Sequence, residues 1–86
     1  MHELSLALEV CRIAESRLEG TSIRHLRRVG IEVGADANIE VANFEFCLEA
    51  LLGAPPFGGA SPSISRCPGA DLRLAFLEVD DDGPDD

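Results

Sequence analysis

No two of the three cysteines, Cys11, Cys47 and Cys67, form a C-x-x-C pair. A structural zinc site needs four ligands, so zinc is not expected, and an odd thiol count reads as free cysteines rather than a disulfide frame. No apolar run approaches the roughly 20 residues that span a bilayer, so no membrane partner is expected. The opening lacks signal-peptide character, because Glu3 and Glu9 interrupt any hydrophobic region and no basic residue precedes it. A cytoplasmic location follows as the expectation. Basic residues are scarce, with 7 Lys and Arg against 16 Asp and Glu for a net charge of −9. Their one cluster, Arg24, His25, Arg27 and Arg28, sits on an acidic chain that phosphate backbones would repel, which argues against nucleic acid. Catalytic motifs are missing as well. There is no Gly-rich phosphate loop and no nucleophile–base pair, and His2-Glu3 lacks the second histidine of H-E-x-x-H. The chain is not expected to be an enzyme.

What remains is a small folding unit of 86 residues, 45% hydrophobic, which is enough for one domain with a thin stability margin. Residues 3–19 predict a helix, with Leu4, Ala7, Leu8, Cys11, Ala14 and Leu18 at helical spacing and Ser5, Glu9, Arg12 and Ser16 as a narrow polar strip. Residues 23–34 predict a strand, in which Val29, Ile31 and Val33 alternate with Gly30 and Glu32. Leu26 is out of phase with that set, so a bulge or face change is expected near residues 25–28. A second helix is expected over 39–52, with Val41, Phe44, Leu48, Leu51 and Leu52 on one face and Asn38 as N-cap; Gly53, Pro55 and Pro56 stop it. Residues 62–67 and 72–79 predict two further strands, the latter with Leu72, Leu74 and Phe76 on the core face. The fold class is therefore α/β (α+β), with two helices packed on one face of a small three-stranded mixed or antiparallel sheet. Residues 1–79 form the single domain. The aspartates of 80–86 form a solvated acidic tail.

Among residues with ligand chemistry, the N-terminus stands out. The α-amine of Met1, the backbone nitrogen and imidazole of His2 and the backbone nitrogen of Glu3 make four nitrogens able to surround one ion. Planar nitrogen ligation selects Ni(II) or Cu(II) over zinc and magnesium. The bulk of His2 disfavours removal of Met1. Against this reading stands a chance histidine beside a frayed terminus. His25 has no nearby companion ligand and is left out of the site. Cys11 and Cys47 read as core packing, and Cys67 lies in a loop context.

The opening Met1-His2-Glu3-Leu4-Ser5-Leu6-Ala7 resembles the start of HypA-family proteins, to which the HybF paralogues also belong. Val29-Gly30-Ile31-Glu32-Val33-Gly34 is similar to that family's second-strand pattern, Phe44-Glu45-Phe46 to its aromatic second helix, and Leu72 through Asp80 to its closing strand. One departure is large: Cys67-Pro68-Gly69 runs almost directly into Ala70-Asp71-Leu72, where the family carries a zinc loop of two cysteine pairs. The resemblance implies a nickel metallochaperone for [NiFe]-hydrogenase maturation, with Met1, His2 and Glu3 as the metal site. It implies the family's nickel-delivery GTPase and the hydrogenase large subunit as partners. The alternative is a metal-free interaction or regulatory module that kept the fold. A homodimer through open strand edges is a further arrangement that a short sheet allows.

Overall fold

In the computed structural model, which describes residues 2–18 and 20–80, the chain runs from a helix α1 (His2–Arg17) through a 3-10 turn (Gly20–His25) into strand β1 (Leu26–Gly34). Helix α2 (Val41–Leu52) follows, then β2 (Ser61–Cys67) and β3 (Leu72–Val79). The strands form one mixed sheet in the order β2-β1-β3, with β1 parallel to β2 and antiparallel to β3. Parallel neighbours need a crossover, and α2 supplies it between β1 and β2.

Alternation along β1 decides what the sheet buries. Val29, Ile31 and Val33 are almost wholly excluded from solvent and join Ala7, Val10, Cys11 and Ala14 of α1 and Phe44, Leu48 and Leu52 of α2 in one core. Leu72, Leu74, Leu77 and Val79 of β3 pack against that core in register with Val33, Ile31, Val29 and Leu26. The register breaks between Leu26 and Arg28, so the expected irregularity is there and returns Leu26 to the buried face.

Phe76 departs from expectation. Gly30 pairs with Phe76 and Ile31 with Leu74, which leaves Ala75 as an extra residue. This bulge reverses the phase of the strand, sending Phe76 to the outer face and Leu77 to the core. There the Phe76 ring lies where a Cβ on Gly30 would stand, so any side chain at position 30 would have to push the ring aside. The outer face continues with two cross-strand ion pairs, Arg28 to Glu78 at 2.7 Å and Arg73 to Glu32 at 3.3 Å, and the Arg28 guanidinium lies 6.0 Å from the Phe76 ring centroid.

Three further expectations need correction. Leu4 and Leu8 are each 51% exposed, because the side of α1 that meets the core is centred on Ala7, Val10 and Ala14. Helix α2 begins at Val41 rather than residue 39, and Asn38 has φ of +60°, so it forms a left-handed turn before the helix instead of capping it. Residues 23–25, expected to open the first strand, belong instead to the 3-10 turn, and β1 starts at Leu26. Cys11 lies in the core and Cys47 is half-buried beside it, in keeping with packing roles. Burial, reinforced by the nearby charge of Glu15, pushes the Cys11 thiol up to about 11.

Candidate metal-binding N-terminus

Helix α1 starts at His2, so the residues singled out for metal binding occupy its first turn. Met1 lies outside the described residues. His2 is exposed, and it lines a groove of about 390 Å³ between α1 and β3 together with Leu6, Val10, Ile13, Leu72 and Leu74. The first amides of a helix have no carbonyl one turn earlier to receive their protons. The backbone nitrogens of His2 and Glu3 therefore belong to the part of α1 least committed to its own hydrogen-bond ladder.

The Glu3 side chain is committed elsewhere. Its carboxylate accepts a hydrogen bond from the backbone N–H of Glu40 at 3.1 Å and another from the Asn43 amide at 3.2 Å. Glu40 is the N-cap residue of α2, and its own side chain makes no capping bond. A carboxylate from α1 thus performs the task of the Glu or Gln that reaches back to the N-cap N–H in a capping box, and it meets the positive end of the α2 dipole. The Glu40 N–H is the main reason that the Glu3 carboxyl is held below the usual carboxylate range; desolvation opposes it, and the backbone N–H of Glu3 itself, then Asn43 and the neighbouring His2, act in the same direction as Glu40. Sequence reasoning gave Glu3 a backbone role only and missed Asn43, because the partners lie 37 and 40 residues away from it along the chain.

His25 stands in the 3-10 turn, exposed, and its carbonyl accepts the Asp80 N–H at 2.8 Å. Asp80 also takes the Arg27 guanidinium at 3.4 Å, and the remainder of the acidic tail, 81–86, lies outside the described residues. Cys67 ends β2, where its carbonyl accepts the Ala35 N–H. The β2–β3 connection is tied back to the end of β1 by Gly34 N–H to the Asp71 carbonyl and Asp36 N–H to the Gly69 carbonyl, both at 2.8 Å. Among the described residues, no three His, Cys, Asp or Glu side chains converge as a ready-made cation cage.

A family model described as "Hydrogenase/urease nickel incorporation, metallochaperone, hypA" matches residues 1–71. Curated relatives named hydrogenase maturation factor HypA agree with it. The protein of Azoarcus sp. (strain BH72) is 34% identical over 70 residues, covering 81% of this chain and 61% of that one. That of Moorella thermoacetica is 32% identical over 68 residues, covering 79% and 60%, and that of Dechloromonas aromatica 33% over 79 residues, covering 92% and 70%. The chain therefore spans less than two thirds of the length of the first two relatives.

Proposed function

Because the chain belongs to the HypA family of hydrogenase/urease nickel-incorporation metallochaperones, we propose that it binds Ni(II) as cargo at Met1, His2 and Glu3 and hands it on during [NiFe]-hydrogenase maturation. Its partners in this reading are the nickel-delivery GTPase and the hydrogenase large subunit. It works as a carrier that makes no covalent change to a substrate.

The observation that supports this most directly is how Glu3 is used. The Glu3 carboxylate is directed at the start of α2 by Glu40 and Asn43. The Glu3 backbone nitrogen, whose N–H is hydrogen-bonded to that same carboxylate and has no carbonyl one turn earlier in α1, is the donor this reading assigns to the metal. His2, exposed at the head of α1, offers its imidazole and a second backbone nitrogen. With the α-amine of Met1 these make four nitrogens, a set suited to square-planar Ni(II). Amide nitrogens bind only after losing their protons, and the amine and imidazole must also be neutral, so affinity rises with pH.

Calorimetry and visible absorption on protein with a free, untagged N-terminus test the reading. One Ni(II) per chain is expected, giving a yellow, diamagnetic complex. His2→Ala abolishes it and an N-terminal tag weakens it sharply. Glu3→Ala keeps the amide nitrogen and costs less affinity, while loosening the first turn of α2. His25→Ala leaves binding nearly intact. Equal nickel affinity in wild type and His2→Ala would refute the assignment.

A further inference from the structure

With strand order β2-β1-β3, the sheet has two open edges of different character. β2 reads Ser-Pro-Ser-Ile-Ser-Arg-Cys, and its proline and serines are typical of an edge that resists further pairing. β3 reads Leu-Arg-Leu-Ala-Phe-Leu-Glu-Val, without a proline, and its apolar residues are only half-buried or exposed.

The bulge gives β3 an unusual symmetry. Arg73 and Glu78 are five residues apart, so in an uninterrupted strand they would point to opposite faces. The extra residue at Ala75 puts both on the outer face, where each meets a residue of β1, Glu32 and Arg28 respectively. Leu72, Leu74, Leu77 and Val79 all share the inner face. Laid antiparallel against a second β3 with the two-fold axis between Ala75 and Phe76, the strand matches itself. Leu72 faces Val79 of the second copy, Arg73 faces its Glu78, Leu74 faces its Leu77 and Ala75 faces its Phe76. Shifting this two-fold register by two residues in either direction sets an inner-face leucine against the outer-face pair Ala75-Phe76.

We propose that a second copy of this chain docks on the free edge of β3 in this register, joining the two sheets into one of six strands. Charge complementarity selects the occupant. Across the outer face the order becomes Glu32, Arg73, then Glu78 and Arg28 of the second copy, so signs alternate over four strands, and symmetry repeats the row. Opposite charges directly across an antiparallel pair are favourable, and like charges are not. The inner leucines extend the apolar layer beneath α1. An isologous contact of this kind satisfies both edges at once and leaves none of β3 open for further growth. An eight-residue edge makes a small interface, so the dimer is weak and concentration-dependent. The inference stands apart from nickel binding and needs no metal.

Sedimentation equilibrium of the metal-free chain from about 10 μM to about 1 mM is the test. Wild type should pass from monomer toward dimer in that range. Arg73→Glu or Glu78→Arg, each placing like charges opposite one another twice, should weaken association by about tenfold or more. Combining the two substitutions in one chain restores opposite signs between copies. Within each copy it still sets an acid beside Glu32 and a base beside Arg28, so the repulsion inside the chain is not relieved. Recovery of the dimer in the double variant is therefore specific to the register between copies. Circular dichroism on each variant confirms that the monomer stays folded. A wild type that remains monomeric throughout, a dimer indifferent to both single changes, or a folded double variant that fails to recover would each overturn the proposal.

Discussion

Strand β1 meets two different environments on its two faces. Under the helices, Val29, Ile31 and Val33 are at most 1% exposed and are held by the removal of apolar surface from water. On the other face Arg28, Gly30 and Glu32 meet Glu78, Phe76 and Arg73 one to one. The inner face rewards volume and tolerates no polar substitute. The outer face rewards complementarity between individual side chains: acid with base, and an aromatic ring with a residue that has no side chain. The first kind of stabilisation is large and insensitive to salt, whereas the second is small, pairwise and screened.

The largest effect should come from the inner face. Ile31→Ala leaves a cavity among β1 and the two helices and should cost about 2–4 kcal/mol in urea unfolding. A loss well below 1 kcal/mol would mean that the two faces do not differ as described. Gly30→Ala tests the outer face at its centre. The new methyl must displace the Phe76 ring, an exposed side chain able to swing away, so the expected cost is about 1 kcal/mol. In a Phe76→Ala background the same change should become neutral or slightly stabilising, since alanine is better than glycine in a strand by roughly 0.5–1 kcal/mol. Additive losses in that double-mutant cycle would show that ring and glycine are not matched. Smallest is Arg28→Ala, which removes an exposed ion pair with Glu78 and the guanidinium above Phe76. A loss of about 0.2–1 kcal/mol is expected, fading in high salt.

The contrast between faces also separates what the sequence reveals from what it conceals. Period-two alternation at Val29, Ile31 and Val33, and helical spacing at Phe44, Leu48 and Leu52, report burial because each arises from contact with one continuous core. The outward turn of Phe76 was not legible, because residues 72–76 alternate without a break and the bulge at Ala75 is set by pairing with β1. Leu4 and Leu8 carry the spacing of buried residues, but only a three-dimensional arrangement determines which apolar strip of α1 the core accepts. At the candidate site, His2 could be picked out from its chemistry alone. The Glu3–Asn43 contact could not, since no local period links residues 40 apart.

That contact makes the opening of the second helix depend on the first. α2 lacks a capping side chain of its own, and the carboxylate serving its N-cap amide comes from the third residue of the chain. During synthesis the cap has already been made by the time residues 40–43 emerge, and it waits for its helix. The first turn of α2 is complete only once α1 has docked, so the two helices consolidate together. Any extension or modification that displaces the first turn of α1 therefore reaches Glu40 and Asn43 as well, and a fused tag becomes a perturbation of folding in addition to a block on the α-amine.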